Sequence, residues 1–350
     1  MGATTAKAGA RGTKAKRREV ISLGAETVYQ GRGCRRKAGN DVAAKTKPDW
    51  QRGLEAWAIR ALLTWPRMVP YRTRCALTAA LMARLVAPVA GYPARIRANL
   101  AHVLPDLPEA EIRRLTRAVP ANVGRMLTEL ASGAEFLDRI RGEPLTGAGV
   151  PALEAARAAG RPIIVASGHF GNFDAMRGAL AQRGFRIGAI YRPLNDPGLE
   201  TAFHDMLTRI AEPVFPRGRA GLGLMIRHLR GGGAVAILHD QHVNRGHPLP
   251  FFGQPAPTSL SAAEMALKYN ALLVPVYGIR RPDLGFDLIV EEEVPHTDPV
   301  TMMQALNDSL EARIRDNMDQ WLWLHRRWKP GRQARRAARQ RASAAASTGP

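Results

Sequence analysis

Ile163-Ile164-Val165-Ala166-Ser167-Gly168-His169-Phe170-Gly171-Asn172-Phe173-Asp174 is the stretch on which the fold is read. Its first four residues are apolar and three are β-branched, the signature of a short strand covered on both faces. Gly168 and Gly171 allow a tight turn and close backbone approach. Asn172 suits the cap of a helix beginning at Phe173, with Asp174 in its first turn. His169 therefore sits just past the carboxyl end of a strand, where open α/β sheets gather their ligands. An acid in the next helical turn can hold one ring nitrogen of His169. The other nitrogen is then placed to take a proton from a hydroxyl. The plain structural alternative makes His169 a turn residue and Asp174 a second cap.

Outward from this stretch the chain alternates strand and helix. Arg186–Tyr191, Pro213–Phe215, Ala234–Leu238, Leu272–Tyr277 and Phe286–Val290 read as strands. Helices are expected at Pro151–Ala159, Phe173–Ala181, Leu199–Ile210, Leu222–Leu229, Leu260–Tyr269 and Met302–Asn317. Gly231-Gly232-Gly233 closes the fourth of these. The pattern predicts an α/β fold: a central mixed, mostly parallel sheet flanked by helices, preceded by an N-terminal helical membrane-associated segment. The strands at Ile163, Ala234 and Leu272 are expected at its centre, and later elements supply an antiparallel partner. The expected domain divisions are a basic disordered tail over 1–48, a helical lead-in over 50–145, the α/β core over 146–329 and a second basic disordered tail over 330–350.

Charge follows these divisions. The 350 residues carry 51 Lys+Arg against 30 Asp+Glu, a net +21. Residues 1–50 contribute +8 and residues 326–350 another +8, leaving +5 for the body. Basic ends suit an anionic surface, either lipid headgroups or nucleic acid. Composition excludes a mainly disordered or a collagen-like chain. Cys34 and Cys75 make neither a disulfide framework nor a metal cluster. The first 20 residues lack the apolar core of a signal peptide.

The lead-in carries Leu77, Leu81, Met82, Leu85, Val86 and Val89, interrupted by Arg84. A span needs about 20 apolar residues, and a central Arg costs at least about 2.5 kcal/mol. A segment lying in the membrane interface fits better, with an ordinary buried amphipathic helix as the alternative. Further on, Pro108, Glu109 and Glu111 open a helix that Pro120 is expected to bend or divide, followed by another over Asn122–Ala131. Trp321, Trp323 and Trp328 lie among His325, Arg326, Arg327 and Lys329, a composition that fits a membrane interface, nucleic-acid stacking or a core. His239, Asp240, His242 and His247 invite a zinc site, but adjacent strand residues 239 and 240 point to opposite faces, and no metal is expected. No phosphate-binding loop or dinucleotide glycine fingerprint is present.

Taken together, the motifs resemble the late lipid A acyltransferases, the lauroyl/myristoyl transferase family, within the broader lysophospholipid acyltransferase-like group. His169 to Asp174 matches the family's histidine–four residues–acid motif, with Asp where Glu is usual. Arg95 to Leu100, Tyr191-Arg192-Pro193-Leu194-Asn195, Arg217-Gly218-Arg219, Gly232-Gly233 leading to Asp240-Gln241, Leu249-Pro250-Phe251-Phe252-Gly253 and Thr258 follow in the family's order. The resemblance covers roughly 54–329.

It implies an enzyme on the cytoplasmic face of the inner membrane, peripheral or N-terminally anchored. The implied donor is an acyl thioester on acyl carrier protein. The acceptor is the hydroxyl of a lipid A precursor, an anionic phosphorylated glycolipid. His169 would act as base and Asp174 as its orienter. Backbone N–H groups at Phe170–Asn172 are candidate oxyanion donors. Arg192, Asn195, Arg217, Arg219, Asp240 and Gln241 are the expected substrate-binding residues, with the arginines suited to phosphate. Asp240 and Gln241 serve equally as loop braces. No cofactor or nucleic-acid partner is expected. Two alternatives stand beside this: O-acylation of another acceptor, such as a lyso-aminolipid or lysophospholipid, and a non-enzymatic basic binding protein.

Overall fold

The computed structural model describes residues 69–194 and 196–329. Both basic ends, Asn195 and the start of the lead-in fall outside the described residues. What was expected of the two tails and of Asn195 therefore has no structural counterpart here.

The described part opens with helix α1 (Tyr71–Leu81), one π-helical turn (Met82–Val86) and the short α2 (Ala87–Val89). Gly91 then turns the chain into α3 (Tyr92–Val103). Helix α4 (Glu109–Ser132) carries Glu109 and Glu111 in its first turn, where acids meet the positive dipole end. The expected break at Pro120 does not occur: α4 runs unbroken through it. Proline removes one hydrogen bond of the helix ladder. Burial of Leu115, Val119 and Leu130 on either side of it holds the helix together. Helix α5 (Ala134–Ile140) completes the lead-in.

From there strands and helices alternate. The order is β1 (Leu145–Thr146), α6 (Val150–Ala158), β2 (Ile163–Ser167), α7 (Phe173–Gln182), β3 (Ile187–Tyr191), α8 (Pro197–Ile210), β4 (Val214–Pro216), α9 (Arg219–Arg230) and β5 (Ala234–Leu238). The hairpin β6 (His247–Phe251) and β7 (Gln254–Thr258) follows, then α10 (Ser261–Tyr269), β8 (Leu272–Arg280), β9 (Phe286–Val290) and α11 (Pro299–Asp316). The seven-stranded sheet has the order β1-β9-β8-β2-β5-β3-β4. Only β8 and β9 pair antiparallel within it, as expected of a late partner. The three most apolar strands, β8, β2 and β5, lie side by side at its centre.

Helices cover both faces because the central strands alternate between two cores. Val165, Ile187, Val274 and Leu288 pack with Phe136, Leu153, Met176 and Leu207 from α5, α6, α7 and α8. Ile164, Val235 and Leu273 pack with Met225, Ala263 and Leu306 from α9, α10 and α11. A third core is aromatic. Phe251, Phe252, Trp321, Trp323 and Trp328 pack against Ile96 and Leu100 of α3 and Leu115 of α4. Trp323 is fully buried and Trp321 is 1 % exposed, so these rings are core and cannot reach a membrane interface. The same cluster seats the helical lead-in on the sheet domain.

Candidate active site

Parallel strands β2 and β5 are in register with Ser167 opposite Leu238. Two residues further on, the chains still face each other, which brings His169 to Asp240. The His169 Nδ1–H and Asp240 Oδ1 are 2.8 Å apart. The backbone N–H of His169 donates to Oδ2 of the same carboxylate at 2.8 Å. The indole N–H of Trp321 also donates to Oδ2, at 2.8 Å. Asp240 is thus a buried carboxylate with three donors. Burial works against its charge, but the electrostatic attraction and hydrogen bond of the His169 ring N–H hold it well below the ordinary carboxylate range. With Nδ1 committed as donor, Nε2 keeps the lone pair, and it accepts from the Gln241 amide at 3.2 Å.

This corrects the expected pairing of His169 with Asp174. Asp174 is buried in the first turn of α7 and lines the same cavity. Its Oδ1, however, accepts from the Arg177 guanidinium at 2.8 Å. Arg177 in turn donates to the carbonyls of Ala211 and Leu207 at 2.9 Å, tying α7 to the end of α8. A side chain one turn further along the same helix reaches Asp174 more directly than the ring of His169, which follows the strand instead.

The turn between β2 and α7 is built as its residues require. Asn172 caps α7, accepting from the N–H of Asp174 at 2.9 Å. Its own amide donates to Glu129, and Glu129 forms a fully buried pair with Arg280. Gly171 has φ +57°, and a Cβ there would lie 2.0 Å from the Gly278 carbonyl oxygen. At Gly168 a Cβ would crowd Leu310 and come 3.2 Å from Asp240 Oδ2. The N–H groups of Gly171 and Asn172 donate to the carbonyls of Gln320 and Gly278. They are committed to holding the turn and are not the oxyanion donors expected of them.

His169 opens on a cavity of about 690 Å³ on the α7–α8 face of the sheet. Val165, Met176, Ile187, Phe203, Leu207 and Val276 line its interior. Ile187 stands level with Ala234 and Ile163, six residues below His169 along the strand direction. On β2 and β5 the lining reaches down to Val165 and Ala236, which at the usual strand rise is about 13 Å below His169. Arg192, Arg217 and Gln241 line its mouth. Arg219, at the start of α9, is exposed and not among the lining residues. The mouth is braced by a residue whose role the chain alone does not reveal. Buried Arg327 donates to the Gln241 carbonyl at 3.2 Å, the Pro257 carbonyl at 2.8 Å and Thr258 Oγ1 at 2.6 Å. Burial pushes its guanidinium down to about 10, so it stays charged at neutral pH.

The arrangement supplies a base, its carboxylate orienter and an apolar slot for a long chain. Comparison with known proteins agrees with that chemistry. A family model described as bacterial lipid A biosynthesis acyltransferase matches residues 44–330. The phosphatidylinositol mannoside acyltransferase of Mycobacterium tuberculosis is 27 % identical over 251 residues, covering 68 % of this chain and 78 % of that protein. The enzyme of the same name from Mycolicibacterium smegmatis is 26 % identical over 244 residues, with 68 % and 80 % covered. The lipid A biosynthesis lauroyltransferase of Escherichia coli is 27 % identical over 241 residues, with 67 % and 78 % covered.

Proposed function

The chain belongs to the bacterial lipid A biosynthesis acyltransferase family, and we propose that it transfers a fatty acyl group from a thioester to a hydroxyl of a phospholipid or glycophospholipid. The observation that carries this reading is the His169–Asp240 pair at the head of a deep apolar cavity. The acceptor hydroxyl replaces the Gln241 amide at His169 Nε2. His169 takes its proton as the oxygen attacks the thioester carbonyl carbon. The C=O electron pair moves onto oxygen, and Asp240 stabilises the imidazolium. Collapse restores the carbonyl and breaks the C–S bond, and the departing sulfur takes the proton from His169. An ester and a thiol result.

The acyl chain lies along β2, β5 and β3 between Val165 and Ile187. Arg192 and Arg217 at the mouth suit the phosphate of a phosphopantetheine arm, which acyl carrier protein and coenzyme A share. Names of relatives favour an acceptor outside the lipid A pathway, since phosphatidylinositol mannoside acyltransferases match as well as the lauroyltransferase. A lipid A precursor stands as the second reading on that lauroyltransferase match. We assign membrane contact to the outer face of the π-helical turn and α2, where Leu85 and Val89 are 59 % and 86 % exposed. No single described helix is long and apolar enough to cross a membrane, and the pair Tyr71–Val89 and Tyr92–Val103 is bent by 84°.

Purified full-length chain, given acyl thioester on either carrier and a panel of lipid acceptors, tests this by mass spectrometry of products. One lipid should gain one acyl chain, and His169→Ala should lower turnover by about 10²–10⁴-fold. Full turnover in that variant would sink the reading.

A further inference from the structure

An attacking hydroxyl leaves negative charge on the thioester oxygen, and that charge needs a donor aimed at it. The turn after β2 offers none at Gly171 or Asn172, Phe170 is buried and not among the cavity's lining residues, and the N–H of His169 is held by Asp240. Gln241 occupies the place where the acceptor hydroxyl must sit. Three further imidazole rings, those of His239, His242 and His325, line the same cavity, and among the described residues that of His325 is the one in ring contact with His169. His325 lines the cavity with its ring centroid 4.8 Å from that of His169.

Its position is built rather than incidental. Asn99 of α3, itself buried, donates its amide to the carbonyls of Trp323 and His325 at 2.7 and 2.8 Å. The N–H of Leu322 donates to the His169 carbonyl at 3.0 Å, so the segment bearing His325 is bonded to the backbone bearing His169. Among the described residues, the hydrogen bonds of His325 are made by its backbone and not by its ring nitrogens. A neutral imidazole always carries one N–H and one lone pair. Here that N–H faces the cavity without a protein acceptor among the described residues.

We infer that His325 is the electrophilic partner of His169, a neutral imidazole whose ring N–H donates to the thioester carbonyl oxygen as it becomes an oxyanion. The N–H stays on His325 throughout, and the only proton that moves is the one His169 takes from the hydroxyl and returns to sulfur. Neutrality follows from the surroundings. Burial, then the positive fields of His169 and Arg95 against the opposing Asp240, push His325 down to about 4. An uncharged neighbour also avoids repelling the imidazolium that forms on His169.

This rests on the acyl-transfer reading, and the experiment separates the two. Turnover of acyl thioester is measured for wild type, His325→Phe and His325→Gln, with lipid acceptor and with water alone. Both reactions pass through the same oxyanion, so hydrolysis reports on His325 even where the acceptor is mistaken. His325→Phe keeps a planar ring and loses the donor. It should lower kcat by about 10²–10³-fold with donor KM changed less than about threefold. His325→Gln restores an N–H and should recover to within about tenfold of wild type. Should the Phe variant fail to melt cooperatively, His325→Leu is read in its place. Wild-type kcat in the ring or Leu variant, or equal losses in donor-bearing and donor-less variants, would overturn the inference. Absence of both transfer and hydrolysis in wild type would overturn the acyl-transfer reading itself.

Discussion

Asp174 and Asp240 are both buried acids close to one histidine, and their partners separate their roles. Asp174 shares its charge with Arg177 across one helical turn, whereas Asp240 gives both oxygens to the backbone and ring of His169 and to Trp321. Asp240→Asn should therefore lower the kcat of the folded enzyme by about 10²–10⁴-fold, because an amide with a single acceptor oxygen no longer fixes the tautomer or stabilises the imidazolium. Asp174→Asn should act on stability and spare turnover. It leaves Arg177 buried without its counter-charge, a loss of about 3 kcal/mol read by chemical denaturation, with kcat of the folded enzyme falling less than tenfold. A kcat loss confined to Asp174→Asn would restore the pairing expected from sequence. That expectation weighed acids near His169 in the chain. Asp240 lies two residues beyond its apolar strand, as His169 lies two beyond its own, but in sequence it reads as a substrate-binding residue or a loop brace.

At the scale of elements, strands and helices from Ile163 onward follow the apolar pattern closely, since their periods are short and their ends carry Gly, Pro or Asn. The β6–β7 hairpin escapes that reading. Pro248, Pro250, Pro255 and Pro257 argue against a strand, yet a two-stranded ribbon outside the main sheet leaves free edges that tolerate them. The Trp-rich end is ambiguous in sequence for a related reason: aromatics beside cations fit lipid, nucleic acid or a core, and only packing on α3 and α4 decides. The α1–α2 segment is the opposite case. One side of it is buried through Tyr71, Cys75, Ala79 and Ala87, while Leu77 stays outside, 53 % exposed, beside Leu85 and Val89. Leu85→Ser with Val89→Ser should weaken sedimentation with anionic vesicles several-fold while leaving turnover of detergent-dispersed acceptor unchanged. Undiminished vesicle binding would remove these residues from the membrane contact.

For the whole molecule, the buried histidines set an acid limit. Burial pushes His239 down to about 4, and His325 lies at about 4 as well. An unfolded histidine titrates near 6.5. The unfolded chain thus binds protons between those values while the folded one does not, so stability is full above about pH 6.5 and falls as pH drops toward about 4. Asp240 has the usual carboxylate sign: its contribution is complete above about pH 4 and fades only below it. Melting temperature should accordingly decline from pH 6.5 to 4, and the decline should be smaller in His239→Asn. A flat profile over that range would contradict burial of neutral histidines.

Charge and pattern along the chain carry much of this protein. The alternation of short apolar runs with amphipathic ones dictates an α/β sheet, because each period can bury its apolar face in only one way. Sixteen of the +21 charges lie at the two ends, leaving a body of +5. The glycines and Asn172 announce a site after the Ile163 strand. Which acid serves His169 is a different kind of fact. His169 and Asp240 are 71 residues apart, and nothing local links them. Only the pairing of β2 with β5 brings them within hydrogen-bond reach, just as the fold brings His325 to the same cavity from beyond the last long helix. Hydrogen bonding between parallel strands sets that register, and it exists only once the sheet has formed.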